Sequence, residues 1–360
     1  MKEESFRVRA PGRVCLFGEH SDYLGLNVIA ASIDMSIQIV CTPRQDDTVN
    51  IFYTDLNERD SFSLDSEIQY RNKRDYVRSA FNVMMRKKIV LNRGANLRIA
   101  GNIPHAAGLS SSSALTVGAV MVISQLSRTK MTPEEIALTA YDAEVGEFGE
   151  SGGTMDHYAS AVGGIIHVDM ASGHVTQLPA KLGSIIIGDS GEKKKDTVGD
   201  LRYIRTTVEK EYEAIAQKIE SFDRRITSTN EVYELGRSRP TKERGMAEAT
   251  LRNRDLTYQA LKLLKTNSPN QQEIGEMLRE HHEIMRDSLN RSTPKIERMI
   301  DAAYSVGALG CKINGSGGGG SMLAYAVGNE EEIASAIQRT GGKTYVVKVG
   351  KGASLTTSID

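Results

Sequence analysis

At 360 residues the chain is longer than a single-core domain usually grows, about 250–300 residues, so two domains or one deeply clefted unit is expected. Its 45 Lys+Arg against 46 Asp+Glu leave a net charge of −1, which gives no long-range attraction for nucleic acid or an anionic membrane. The opening MKEESFRVRA lacks the apolar core of a signal peptide, no run approaches the roughly 18 apolar residues of a membrane span, and the scattered Cys15, Cys41 and Cys311 suit free thiols in a reducing compartment, so a cytoplasmic location is expected.

Short or alternating apolar runs bounded by turn residues predict strands at 5–10, 27–31, 36–41, 49–53 and 95–100. Helical periodicity marks 74–88, 110–125 and 132–145, the last opening with the capping box TPEE, whose side chains accept from orphan helix amides. Strands at 165–169 and 184–187 come next. Helices are expected at 197–222, 242–265, 271–289 and 294–305, then strands at 311–314, 322–327 and 343–349 with a helix at 330–340 between the last two. Strands and helices segregate, so the expected class is α+β with two domains. The loop composition of GDSGEKKKD places the division near 180–195, giving domains 1–185 and 186–360.

Three Gly/Ser-rich segments occur in order: PGRVCLFGEHSDY (11–23), PHAAGLSSSSA (104–114) and KINGSGGGGS (312–321). In the second, Pro104 and Gly108 precede four serines and an Ala- and Val-bearing run, which puts the serines at a helix N-terminus, where unpaired N–H groups and the helix dipole favour an anion. It is not a Walker A loop, which requires a Lys that is absent here, and capping is the plainer role for any single serine. Gly315, Gly317 and Gly320 match GxGxxG, but SMLAYAV after them reads as a strand where a dinucleotide site needs a helix. A flexible turn needs one or two glycines. Five in six positions fit a backbone that closely approaches a ligand.

An acidic stretch, AEVGEFGESGGTMD (143–156), lies between the second and third segments. Asp156, at the start of a short helix after a glycine pair, is placed to accept or orient a substrate hydroxyl proton. Glu144 is a candidate oxygen ligand for Mg²⁺, with Glu147 and Glu150 as neighbours that composition does not separate from it. The seven histidines form no HExxH or Cys/His pattern, the adjacent His281 and His282 read as a helix edge, and Lys193–Lys195 reads as a solvated loop or an anion contact. A phosphate cradle, a hydroxyl–carboxylate cation site and one Asp facing a hydroxyl make up the equipment of a small-molecule kinase.

These segments resemble those of the GHMP kinases, the family of galactokinase, homoserine kinase, mevalonate kinase and phosphomevalonate kinase, and the resemblance covers nearly the whole chain. PGRVCLFGEHSDYLG is most similar to the galactokinase signature GRVNLIGEHTDYNGG, through Arg13, Glu19, His20, Asp22 and Tyr23; mevalonate kinases share it only as far as GEH and carry Lys in place of Arg13. The resemblance implies two α+β domains, the first similar to a ribosomal-protein S5-like unit, with the active site between them. It implies that Glu19, His20 and Asp22 bind sugar hydroxyls and that Gly153 and Asp156 match the segment whose Asp faces the anomeric hydroxyl. Arg13 would stabilise charge on that oxygen and the transferred phosphoryl. Gly108, Leu109, Ser110, Ser111, Ser112 and Ser113 would wrap the ATP phosphates, while Ser112 and Glu144 would ligate Mg²⁺.

The chain departs from the galactokinase pattern at Cys15 and Leu24, each in place of Asn, and at His157 in place of Gln. The segment in which galactokinases lend a tyrosine to the sugar has no clean counterpart here, and Tyr203 in DLRYIR is the candidate for it. The implied activity is ATP- and Mg²⁺-dependent phosphorylation of the anomeric hydroxyl of a galactose-like sugar. Another aldose, a uronic acid or a mevalonate-like alcohol is the alternative acceptor, and a sugar- and ATP-sensing regulator without turnover is the alternative class. The expected partner is a small sugar, with neither nucleic acid nor membrane, and the chain a monomer or homodimer.

Overall fold

The computed structural model describes residues 5–104, 107–193, 196–237 and 241–357. The first hundred residues form β1 (Phe6–Phe17), β2 (Val28–Pro43), β3 (Thr48–Tyr53), β4 (Glu58–Ser63), α1 (Tyr76–Arg86) and β5 (Ala95–Gly101). Then come α2 (Ser111–Leu126), α3 (Pro133–Tyr141), α4 (Met155–Val162), β6 (Ile165–Asp169), β7 (His174–Leu178) and β8 (Ser184–Asp189). The remainder is α5 (Thr197–Ala216), α6 (Thr229–Gly236), α7 (Lys242–Leu264), α8 (Gln271–Glu283), α9 (Pro294–Ser305), β9 (Gly310–Asn314), β10 (Ser321–Ala326), α10 (Glu330–Arg339), β11 (Lys343–Val347) and β12 (Ser354–Thr356).

β1 alternates exposed Arg7 and Arg9 with buried Phe6 and Val8, then is buried at every position from Ala10 to Phe17. Period-two alternation describes a strand with one wet face. It ends where α2 and α4 pack along the strand and α7 and α8 reach its far end. The motif residues Arg13 to Phe17 are therefore buried on a paired strand between the sheet and these helices. The two strands expected at 27–31 and 36–41 are one, β2, because β1 pairs along its whole length, from Phe17 opposite Ile29 to Phe6 opposite Cys41. The polar SIDMS between them is absorbed by a register shift at Pro11–Arg13, a bulge that bends the strand without ending it.

The first sheet runs β12-β1-β2-β5-β3-β4, with β6 on β2 and β7 on β6; the second runs β11-β8-β10-β9. The expected division at 185/186 falls inside β8, and β12 crosses back onto β1, so sheet membership does not follow that cut. β4 (ERDSFS), β7, β12 and α6 escape the apolar-pattern reading because each is short and largely solvent-facing. The helix expected at 132–145 ends at Tyr141 and continues as a π turn over Asp142–Gly146; that expected at 271–289 likewise passes into a π turn at Ile284–Ser288. Such turns add a residue to one helical repeat and re-aim the side chains beyond it. Tyr23, Leu24 and Leu26, just beyond β1, are buried with Ile204, Val208 and Tyr212 of α5, which ties the first motif to the helical half.

No described helix is long and apolar enough to cross a membrane. Cys15, Cys41 and Cys311 are buried free thiols. α2 holds the serine segment against the sheet through Gly118, where a Cβ would stand 3.1 Å from Ile39 Cδ1. Gly118→Leu should lower stability in urea denaturation by about 1–3 kcal/mol, the cost of overpacking a filled interface, whereas Gly118→Ala should stay within about 1 kcal/mol of wild type because the nearest neighbour is a side-chain tip.

Candidate active site

Arg13 organises the site. Its side chain is buried, its Nε donates to Asp156 Oδ1 at 2.6 Å and its Nη1 to the Gly108 carbonyl at 2.6 Å, while its backbone N–H donates to the Leu109 carbonyl at 3.1 Å. Burial alone would lower its pKa, but the charges of Asp156 and Glu19 raise it above the ordinary arginine value. Three segments thus meet on one guanidinium: the signature strand, the turn before α2 and the first turn of α4.

Ser110 precedes α2 in left-handed backbone (φ 57°) and makes no side-chain cap. Its hydroxyl instead donates to Asp156 Oδ2 at 2.6 Å. The first amides of α2, at Ser111, Ser112 and Ser113, have no intrahelical acceptor, so the helix N-terminus opens on the cleft beside Asp156. That is the geometry an oligophosphate needs.

Glu19 and Lys312 form a buried pair. Glu19 Oε2 accepts from Lys312 Nζ at 3.1 Å and from the Gly315 amide at 2.8 Å, and Lys312, fully buried, also donates to the Cys15 carbonyl at 2.9 Å. Burial pushes the Glu19 pKa up, but Lys312 and Arg13 together pull it down to about 2. Glu19 lines the cleft, yet the strongest bonds of its carboxylate go to protein groups. His20, with φ 62°, has Nδ1 at 2.6 Å from the Tyr23 hydroxyl and Nε2 at 3.2 Å from the Ser316 carbonyl, an arrangement that puts the proton on Nε2. Asn314 completes the bracing: it accepts from the Cys15 amide at 3.1 Å and donates to the Gly108 carbonyl at 2.7 Å. Sequence reasoning missed both Lys312 and Asn314. They stand inside the KINGS run, but nothing local marks them as buried.

Asp22 and Asp156 flank the same end of the cleft. Asp22 accepts from the Tyr23 amide at 2.9 Å, and its carboxylate lies where a Cβ of residue 153 would be, so only glycine fits at Gly153. Burial and the neighbouring Asp156 charge push the Asp22 pKa up to about 6. Glu144, on the π turn after α3, is buried, and its Oε2 lies 2.8 Å from His157 Nε2. Burial would raise its pKa, but His157 and the hydroxyls of Ser112 and Ser113 bring it below the ordinary value. Glu147 turns away to Tyr70 and Arg86, and Glu150 pairs with Arg74 at 2.5 Å.

Arg13, Glu19, His20, Asp22, Gly108, Leu109, the serines 110–113, Glu144, Gly153 and Asp156 all line one cleft of about 920 Å³. Tyr203 does not join them: it lies on α5 with 52% of its surface exposed and is not among the cleft-lining residues. Lys193 lines the cleft, while Lys194 and Lys195 lie outside the described residues, as does His105. His281 and His282 are not at an edge. They are buried in the last turn of α8, His281 against the Leu16 carbonyl at 3.2 Å and His282 against Glu297 at 3.0 Å.

Comparison with known families matches the galactokinase galactose-binding signature at residues 1–43, the GHMP kinases N-terminal domain at 75–164 and the GHMP kinases C-terminal domain at 260–345. Among characterised relatives, a mevalonate kinase of Thermococcus sibiricus is 29% identical over 351 residues, covering 95% of each chain. A galactokinase of Haemophilus influenzae is 29% identical over 339 residues, 89% of this chain and 84% of that one. Lactococcus lactis galactokinase complexed with galactose shares the fold with a TM-score of 0.89 at 22% identity, over 98% of this chain and 95% of that one. Methanococcus jannaschii mevalonate kinase does so with a TM-score of 0.74 at 21% identity, over 96% and 98%. The chain belongs to the GHMP kinases and is an ATP-dependent kinase.

Two predictions rest on the buried charges. Lys312→Met or Glu19→Gln alone strands its partner's charge or hydrogen bonds in the interior and should cost about 3–5 kcal/mol, whereas the double variant should recover much of that loss in thermal denaturation. For Asp22, the folded state holds the proton more tightly than the unfolded chain, so its contribution to stability is complete below about pH 4 and lost as pH rises through about 6. Asp22→Asn should therefore raise the Tm relative to wild type at pH 7–8, with the gain shrinking toward pH 4.5. A Tm difference independent of pH would contradict the raised pKa.

Proposed function

We propose that the protein transfers the terminal phosphoryl group of ATP to the anomeric hydroxyl of a galactose-like monosaccharide, with Mg²⁺ as the accompanying cation. The observation that carries this reading is Asp156, held by Arg13 on one carboxylate oxygen and Ser110 on the other, beside the open N-terminus of α2 and across from Asp22. An acceptor hydroxyl at Asp156 would lie between its base and the phosphate cradle. In phosphoryl transfer most of the catalysis comes from such positioning and from charge neutralisation.

Asp156 receives or orients the hydroxyl proton, and Arg13 offsets the charge that grows on the acceptor oxygen. The donor set fits a hard cation: the Ser112 hydroxyl and the ionised Glu144 are oxygen ligands, and among the described residues no cluster of three or more His, Cys, Asp or Glu side chains forms a separate cage. When bound, Mg²⁺ would shield the phosphate oxygens. With the buried thiols fitting a reducing interior, we place the activity in the cytoplasm.

The electrostatics of the acceptor end favour a neutral polyol. Burial and the neighbouring Asp156 charge already hold Asp22 at about 6, and a carboxylate-bearing acceptor would bring a further negative charge there. A mevalonate-like acceptor is the second reading, favoured by the 29% identity to mevalonate kinases over 95% of the chain. An ADP-release assay across aldoses, deoxy sugars, uronic acids and mevalonate separates the two, and phosphorus NMR of the product assigns the phosphorylated carbon. Turnover with mevalonate and none with any aldose would overturn the sugar reading. Asp156→Asn, which keeps shape and removes charge, should lower kcat by about 10²-fold or more while nucleotide binding survives; retention of more than about a tenth of wild-type turnover would remove Asp156 from its role.

A further inference from the structure

Asp156 and His157 are neighbours in the first turn of α4, and their side chains serve opposite halves of the cleft. Asp156 is held by Arg13 and Ser110 at the acceptor end, while His157 places Nε2 2.8 Å from Glu144 Oε2. The His157 ring is 1% exposed and is met edge-on by Tyr141, with ring centroids 5.6 Å apart and an interplanar angle of 89°. Tyr141 is itself tied to the Gly152 carbonyl at 3.3 Å. The imidazole thus sits in a slot that leaves it one orientation, and that orientation aims its N–H at a single carboxylate.

The other ring nitrogen, His157 Nδ1, is buried without a hydrogen-bond partner in the structure. An orphaned buried acceptor is costly, and a residue present only to fill this slot would be apolar. What the histidine contributes in return is the Nε2–H bond to Glu144. A carboxylate whose side chain turns about three bonds and stands on a π turn has freedom to swing; with Oε2 clamped by His157 and the Ser112 and Ser113 hydroxyls beside it, Glu144 is held in one pose toward the serine loop.

We infer that His157 is a positioning residue for the cation site: by clamping Glu144 Oε2 it fixes the carboxylate that meets the cation, and through its neighbour Asp156 it couples the placement of that carboxylate to the placement of the base. This rests on the reading of Glu144 as a cation ligand. Partners of metal-ligating groups typically alter metal affinity 10–100-fold when removed. His157 acts only through Glu144, so its loss should move cation affinity and leave sugar affinity nearly unchanged.

The test measures Mn²⁺ binding to the enzyme–ADP complex by electron paramagnetic resonance, alongside the Mg²⁺ activation constant and the KM for the sugar, in wild type, Glu144→Gln, His157→Ala, His157→Leu and His157→Gln. The expected result is a 10–100-fold weaker Mn²⁺ affinity and a matching rise in the Mg²⁺ constant for the Ala and Leu variants, a sugar KM within about twofold of wild type, and substantial recovery in His157→Gln, whose amide N–H can replace the lost donor. His157→Leu keeps the volume of the slot and so serves if the Ala variant does not fold. If Glu144→Gln weakens Mn²⁺ binding while Ala and Leu do not, the positioning role is wrong. If Glu144→Gln itself leaves Mn²⁺ binding unchanged, the cation reading fails first. Equal losses in cation and sugar constants, or failure of both Ala and Leu to fold, would make His157 a packing residue and overturn the inference.

Discussion

The site depends on the buried Arg13 guanidinium. A cation removed from water needs a counter-charge and hydrogen-bond acceptors, and here they come from separate parts of the chain: the Asp156 carboxylate on α4 and the Gly108 carbonyl before α2. Because the Gly108 carbonyl also accepts from Asn314, the third glycine-bearing segment is drawn to the same point. The turn before α2, the Asp156 carboxylate and the glycine loop are therefore tied to one point by the Arg13 guanidinium and the Asn314 amide.

A second buried pair does for the acceptor end what Arg13 does for the centre. Lys312 reaches from β9 to the end of β1 and holds Glu19, whose backbone carbonyl is held in turn by Asn253 of α7. His20 then closes onto the Ser316 carbonyl through Nε2 and onto the Tyr23 hydroxyl through Nδ1. The signature thus divides its labour. Glu19 and His20 are largely committed to bracing one wall against another, and Asp22 is the acid that faces the cleft with a raised pKa.

The charge arrangement also separates the two ends of the cleft. The Ser112 and Ser113 hydroxyls, the Glu144 carboxylate and the open amides of α2 gather at the serine loop, while the Asp22 and Asp156 carboxylates share the other end. α4 joins the ends, since consecutive side chains in its first turn reach Asp156's partners in one direction and Glu144 in the other. Its approach to Asp22 is made possible by Gly153, where any side chain would displace the carboxylate.

What the sequence determined by itself was whatever contiguous residues specify. Strand and helix periods located most elements and the serine run was placed at a helix N-terminus, because spacing and local backbone preference are properties of neighbours in the chain, and the resemblance of the ordered Gly/Ser segments to those of the GHMP kinases pointed to the cleft-lining residues. What only the tertiary structure decided involves partners far apart. Lys312, 293 residues from Glu19, looks like any surface lysine until β9 buries it. The continuity of β2 depends on β1 pairing through a polar stretch that would otherwise end a strand, and Tyr203 fits a motif by position but faces solvent on α5. Glu144 could not be told from Glu147 and Glu150 because a π turn, which composition does not announce, aims it at His157, while Glu147 pairs with Arg86 away from the cleft and Glu150 pairs with Arg74 at the cleft rim. Burial, pairing and side-chain direction are settled by packing across the whole molecule, where one added helical residue or one distant ion pair outweighs local propensity.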